Sequence, residues 1–278
     1  MASNWADWIR TGSWAHEHQA QIPALPARAQ DLIQMANDPD VTVIDIARIV
    51  TTDPVLTMQV IRMANSAWSA PSKSITSVTE AVGRIGTEAV RNLVLASFMK
   101  AQMTGARVYG PAGATIVDHS IGTALLTIVL SPERNRGELF LGGLLHDVGK
   151  LLILKLAHDN RKQFPDLTKD ELTASIKDRH PHMGGWLAAR WQLPEGLSDL
   201  IAWHHDPEWA INPELVSVIH GANRLAYRYG FGGRPETADL VSDPIFRDLG
   251  IDDARLAYLD AQKSKLFETA QSMFGRRH

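Results

Sequence analysis

Apolar residues recur along this chain at helical spacing, and the punctuation between them is that of helix ends. Thr42 precedes a run in which Ile46, Ile49 and Val50 would share one face. Asp53-Pro54 reads as an N-cap followed by proline at the first helical position, and Leu56, Val60, Met63 and Ala64 form the stripe of the next helix. Ser77 with Glu80, and Thr168 with Glu171, have the spacing of capping boxes. Asn212-Pro213 repeats the cap-plus-proline start, opening a helix that runs towards Tyr229 and stops at Gly230. No segment sustains the alternation of a strand. Val41-Thr42-Val43-Ile44 comes nearest, and Asp45 and Ala47 return it to helix. The pattern predicts an all-α fold.

Glycine and proline interrupt the pattern at Tyr109-Gly110-Pro111-Ala112-Gly113. This break predicts an N-terminal helical unit over 1–110 with about five helices, then a longer helical unit over 111–235 that carries most of the histidines. A C-terminal extension over 236–278 follows. In it the stretch from Asp252 to Phe274 reads as one surface helix burying Leu256, Leu259, Leu266 and Phe267. The apolar run from Leu139 to Leu156 contains His146, Asp147, Lys150 and Lys155, which favours a buried helix over a membrane span. Trp5, Trp8 and Trp14 are expected in a core rather than on a binding face.

Composition narrows the classes. The 278 residues are 45% hydrophobic and 21% charged, ordinary for a globular chain able to bury a sizeable core. The absence of cysteine excludes a disulfide scaffold, thiol catalysis and cysteine-ligated zinc, and suits a reducing cytoplasm. A net charge of -3 gives no basic footprint for nucleic acid. The first residues, MASNWADWIRTGSW, lack the basic and apolar regions of a signal peptide. A cytoplasmic protein without membrane insertion is the expectation.

Five of eleven histidines stand out by context: His119, His146, His180, His204 and His205. His146 and Asp147 lie in Gly143-Leu144-Leu145-His146-Asp147-Val148-Gly149-Lys150, where burying such a pair without partners would be costly. A metal ion or a closed hydrogen-bond network would satisfy it. Successive helical residues point about 100° apart, so further ligands must come from other helices. His119 and the His204-His205 pair are suitable, since imidazole with carboxylate suits iron, manganese or zinc. Each also has a structural reading: His119 as a core histidine, His204-His205 as a helix C-terminus favouring imidazole, and His180-Pro181-His182 as a helix start. His16, His18, His158 and His278 are expected at the surface.

Two ordered sets of motifs resemble the HDOD family, the HD-related output domains. The first runs from Leu25-Pro26 through Asp53-Pro54-Val55-Leu56 and Met63-Ala64-Asn65-Ser66-Ala67. It continues to Ala81-Val82-Gly83-Arg84-Ile85-Gly86 and the Val90-Arg91-Asn92-Leu93-Val94 helix. The second comprises the Gly143–Lys150 string, His180 with Gly184, Trp191 and Pro194, and then His204-His205. The resemblance spans roughly residues 22–230. It implies an N-terminal helical bundle packed on an HD-type helical core, within the superfamily of metal-dependent phosphohydrolases. It further implies that His119 is the first histidine ligand, His146 and Asp147 the name-giving pair, and His180, His204 and His205 the ligands added in two-metal members. The last ligand of that superfamily is an aspartate. Here the matching string is Ala222-Asn223-Arg224-Leu225-Ala226, so Asn223 replaces it with a neutral carbonyl oxygen and should weaken divalent binding. After His205 the chain reads Asp206-Pro207-Glu208-Trp209, without the Gly-Tyr-Pro element of cyclic di-GMP phosphodiesterases.

Three functions follow as alternatives. The leading one is a signalling module, non-catalytic or weakened by Asn223, with a protein partner and a pocket for a divalent ion (iron, manganese, zinc or magnesium) or a small phosphorylated ligand. No receiver or GGDEF-type segment is recognised, so its signal would come from a separate chain or a soluble ligand. The second is an active phosphohydrolase, in which a water activated by one or two ions attacks phosphorus and Lys150 stabilises developing charge. His182 or His220 would stand behind the ligands. The third is a helical scaffold with a closed polar network.

Overall fold

The computed structural model describes residues 4–17, 22–23, 41–65, 73–90, 92–94, 96–97, 109–131, 135–233, 235, 237 and 239–274. Leu25, Pro26, Ser66, Ala67 and Arg91 of the motifs, and His18 and His278, lie outside them. Among the described residues every regular element is helical. In chain order these are α1 (Trp5–Thr11), α2 (Ser13–Glu17), α3 (Val43–Thr51), α4 (Pro54–Ala64) and α5 (Val78–Ile85). Then come α6 (Gly110–Leu130), α7 (Arg136–Leu145), α8 (Val148–Asp159), α9 (Lys169–Arg190) and α10 (Glu195–Ala202). A 3-10 turn (Pro207–Trp209) leads to α11 (Pro213–Tyr229), α12 (Pro244–Asp248), α13 (Asp253–Ala261) and α14 (Lys263–Phe274).

The caps act as the sequence implies, with two exceptions. Asp53 accepts hydrogen bonds from the N–H groups of Val55 and Leu56, and Thr168 and Glu171 form a reciprocal box. Thr42 forms a second complete box with Asp45. Ser77 accepts only from the Glu80 N–H, which is half of the expected box. Asn212 precedes α11 without capping it through its side chain. Its own N–H, with that of Ile211, instead donates to the buried Asp199 carboxylate at 3.1–3.3 Å.

Two apolar cores share the molecule. Ile46, Val50, Leu56 and Val60 of α3 and α4 pack with Leu125 of α6, Leu225 of α11 and Leu266 of α14. Trp5, Trp8 and Trp14 belong to the other core, with Leu152 of α8, Leu187 of α9 and Leu200 of α10. Trp8 is fully buried, and its ring centroid lies 5.1 Å from that of Phe164. Truncating it to alanine should cost about 3–5 kcal/mol of stability. Helix α7 feeds both cores, Phe140 and Leu144 into the first and Leu139 and Leu145 into the second. Helix α11 does the same, with Leu225 and Ala226 on one side and Val216 and Ile219 on the other.

Three expectations change at helix boundaries. The Leu139–Leu156 run is two helices, with His146 closing α7 and Asp147 opening α8. His180-Pro181-His182 lies inside the 22-residue α9 rather than at its start. The C-terminal stretch breaks at Gln262 into α13 and α14. Leu256, Leu259 and Leu266 are buried as expected, and Phe267 is half-buried. Among the described residues, the 21-residue α6 is long and apolar enough to cross a membrane by length and composition. It also carries the buried His119 and packs against α7 and α11.

Candidate metal centre

The break between α7 and α8 resolves the difficulty of two adjacent polar residues in an apolar run. Because the helix stops at His146 and restarts after Asp147, both side chains face one cluster instead of diverging. His146 is 0% and Asp147 1% exposed. The start of α8 is pressed onto the interior of α9: a Cβ on Gly149 would collide with the His180 carbonyl oxygen. That carbonyl belongs to the residue before Pro181, so two of the site's histidine-bearing segments meet at a position only glycine fits.

The structure brings His119, His146, Asp147, His180, His204, His205 and Asn223 together from five segments. Asp147 stands between two groups. Its Oδ1 lies 3.3 Å from His180 Nε2 and 3.9 Å from His204 Nε2. Its Oδ2 lies 3.4 Å from His146 Nε2, 3.9 Å from His119 Nε2 and 2.7 Å from Lys150 Nζ. Two sets of potential ligand atoms therefore cluster closely, His180/His204/His205 and His119/His146/Asp147.

Three rings are oriented by backbone. His146 Nδ1–H donates to the Gly143 carbonyl at 2.7 Å, His180 Nδ1–H to Ile176 at 2.7 Å and His204 Nδ1–H to Ile201 at 2.8 Å. A carbonyl oxygen can only accept, so each Nδ1 carries a proton, and in the neutral ring each Nε2 presents a lone pair to the cluster. His180 Nε2 then faces His204 Nε2 at 3.3 Å and His205 Nε2 at 3.2 Å. Lone pairs at that separation repel unless a proton or a metal ion lies between them. A tetrahedral ion with bonds of about 2.0–2.1 Å sets its donors about 3.3–3.4 Å apart, a spacing that the His180 Nε2 contacts to His204, His205 and Asp147 Oδ1 match. Two further atoms of the cluster, His146 Nε2 and Asp147 Oδ1, are buried without a hydrogen-bond partner.

His119 differs. Its Nε2 is 2.8 Å from Asn223 Oδ1, its ring stacks on Tyr227 at 4.0 Å, and its Nδ1 is buried without a partner. Burial pushes its pKa down to about 4, against the opposing pull of Asp147. Burial also drives His204 well below the ordinary histidine value; His205 keeps an exposed edge, and partial burial brings it down to about 3, each helped by neighbouring imidazoles. These rings are neutral at pH 7, the form that binds metal. Burial opposes charge on Asp147, but His146 and Lys150 outweigh it and hold the carboxyl well below its usual range. Burial likewise opposes the Lys150 ammonium, and Asp147 and Tyr227 outweigh it and raise its pKa.

Two residues of α11 support the cluster: Tyr227, which the sequence pattern did not single out, and His220, which it placed behind the ligands. Tyr227 stacks on His119 and lies 3.3 Å from Lys150 Nζ through its hydroxyl. His220 Nδ1–H donates to the His204 carbonyl at 3.1 Å, and its Nε2 lies 3.8 Å from Asp243. Both follow from Asn223 by helical spacing, three residues before and four after on α11, a signal available in the sequence. His182 is exposed with its ring edge-on to Trp203 at 5.0 Å, and His16 and His158 are exposed as expected.

A family model described as the HDOD domain matches residues 22–207, so the chain belongs to the HDOD domain family. Its fold is similar to that of an HDOD domain protein of unknown function from Geobacter sulfurreducens, at 24% identity, 97% of this chain, 98% of that one and a TM-score of 0.71. It is also similar to a Shewanella amazonensis SB2B protein named as a candidate metal-dependent phosphohydrolase, at 15% identity, 95% and 98% coverage and a TM-score of 0.67. A Marinobacter aquaeolei VT8 protein named as a candidate signal transduction protein matches at 20% identity, 98% of this chain, 62% of that one and a TM-score of 0.60. A curated relative, an uncharacterized protein of Treponema pallidum (strain Nichols), is 27% identical over 243 residues. That match takes in 77% of this chain and 44% of the relative, so the chain spans less than half of that protein's length.

Proposed function

We propose that this protein is a signalling module whose His/Asp cluster holds a divalent ion through His180, His204, His205 and Asp147. A second, weaker position lies at His119 and His146. The observation that carries the reading is the set of three imidazole Nε2 atoms within 3.2–3.3 Å contacts, two of them fixed as lone-pair donors by backbone carbonyls. Imidazole with one carboxylate suits manganese, iron or zinc better than magnesium. The signalling role is supported by family membership and by the name of the Marinobacter protein. Its partner would be a protein, or a small phosphorylated ligand reaching the cluster.

Asn223 is the reason for placing hydrolysis second. Its amide engages His119 Nε2, the nitrogen nearest Asp147, so an ion at the second position must displace this contact and binds more weakly. A bound ion would supply Lewis acidity towards a phosphoryl oxygen. Around it Lys150 holds Asp147 Oδ2, and Tyr227 holds Lys150. The alternative of an active phosphohydrolase is favoured by Lys150, whose ammonium holds Asp147 Oδ2 at 2.7 Å. Elemental analysis of protein purified without chelator should find about one bound transition ion per chain. Turnover of bis(4-nitrophenyl) phosphate with added manganese should be absent. Turnover that His146→Ala abolishes would make the protein an enzyme and overturn this ranking. A metal-free protein that binds no manganese or zinc would overturn the site itself.

A further inference from the structure

The C-terminal helix α14 lies beyond the family-matched residues 22–207, yet a continuous series of contacts runs from it to His119. We propose that Phe267 is a positioning residue for His119, acting through Phe231 and Gly232.

His119 lacks a tether that its neighbours have. His146, His180 and His204 each have Nδ1–H on a carbonyl three or four residues upstream in the chain, which fixes the ring whatever its neighbours do. His119 Nδ1 has no partner, so its ring pose depends on where its turn of α6 sits and on Asn223 and Tyr227 beside it. That turn is clamped by the loop after α11. The Gly232 N–H donates to Asp118 Oδ2 at 2.8 Å. Gly232 has φ +78, and a Cβ there would lie 2.6 Å from His119 Cβ and 2.7 Å from the Thr115 carbonyl oxygen. One turn further along α6, a Cβ on Gly122 would collide with the Phe231 ring. The loop is therefore seated against both the turn that carries His119 and the one after it.

Phe267 holds the loop there. Its ring stacks on Phe231 with centroids 4.3 Å apart and planes 5° from parallel. Helix α14 is anchored independently by Leu266 and Ala270, buried in the first core. Phe231 is thus gripped between α6 on one side and α14 on the other. Loss of the Phe267 ring would remove this stack from Phe231, and the clamp on His119 would loosen. No such route reaches His180, whose ring is tethered within its own helix.

The inference rests on His119 belonging to the cation-binding cluster, and two readouts keep the claims apart. In metal-free protein, imidazole nitrogen spectra of Phe267→Ala should show the His119 signals displaced and those of His180 and His204 unchanged. Phe267→Tyr should restore the wild-type His119 signals. In a zinc titration, Phe267→Ala should weaken the second equivalent by about tenfold, the scale seen when outer support of a ligand is lost, with the first equivalent unchanged. If the Ala variant folds poorly, Phe267→Leu, which keeps an apolar contact without a ring to stack, should shift His119 in the same direction. An unmoved His119 signal, or histidine signals that all move together, would overturn the positioning role. Displacement of His119 without any zinc binding would uphold the positioning role and overturn the metal reading instead.

Discussion

The two halves of the His/Asp cluster use the same residue types and are built differently. In the His180/His204/His205 half, two of three rings are locked by backbone carbonyls of nearby residues, so local helix geometry alone aims their Nε2 atoms. In the other half, His146 is locked in the same way, but His119 depends on Asn223, Tyr227 and a loop held by a distant helix. Local tethers survive sequence change elsewhere, whereas a ring held by tertiary contacts can be tuned by them. On the proposed cation-site reading, the first half would bind stably and the second adjustably.

The comparison breaks most completely at Asp147, which faces both halves. Asp147→Asn should weaken every bound equivalent of zinc at least about a hundredfold by calorimetric titration. His204→Ala should instead abolish only the tighter equivalent. Equal losses at both equivalents for His204→Ala would show that the halves are not separable.

Next in size is the response to acid in metal-free protein. Burial depresses His119 to about 4 and His204 well below its ordinary value, while the unfolded chain binds these protons near 6.5. The unfolded state therefore gains protons first as pH falls. Stability from these neutral rings is fully present above about pH 6.5 and is lost progressively below it, down to about 4 for His119. Lowering the pH from 7 to 5 should cost about 2 kcal/mol through His119, with His204 acting in the same direction. A urea midpoint that shifts accordingly, and shifts less with zinc bound, is the expected outcome. A midpoint unchanged between pH 7 and 5 would contradict the burial of neutral imidazoles.

Asn223→Asp sharpens the contrast. A carboxylate in place of the amide should tighten the weaker equivalent by about tenfold, worth about 1.4 kcal/mol, and leave the tighter one unchanged. The smallest effect is expected at His220, which holds the His204 carbonyl. His220→Phe should weaken the tighter equivalent only a few-fold, roughly 0.5–1 kcal/mol, as loss of one hydrogen bond behind a ligand.

Much of this was legible in the sequence, for identifiable reasons. Cap residues act within three or four positions, so Asp53-Pro54 and Thr168 with Glu171 could be read directly. That His119, His146, Asp147, His180, His204, His205 and Asn223 converge was readable because the motifs keep their order along the chain. What escaped depended on backbone breaks that local pattern does not mark. Leu139 to Leu156 reads as one apolar helix, and nothing in it announces that the chain stops at His146 and restarts after Asp147. Pro181 reads as a helix start, yet it is accommodated inside α9, where Gly149 lets α8 approach the backbone beside it. The break at Gln262 carries no proline or glycine, so α13 and α14 looked continuous. The inequality of the histidines was hidden too, because it lies in which carbonyl each Nδ1 meets.

The central claim is that the cluster is a cation site with a tight half and an adjustable half. Its most direct test is a substoichiometric zinc titration of metal-free protein, followed by histidine side-chain nitrogen NMR. The account requires the Nε2 signals of His180, His204 and His205 to respond to the first equivalent, with His119 responding only to the second. A first equivalent that moves His119 before His204, or leaves all of these rings untouched, would contradict it.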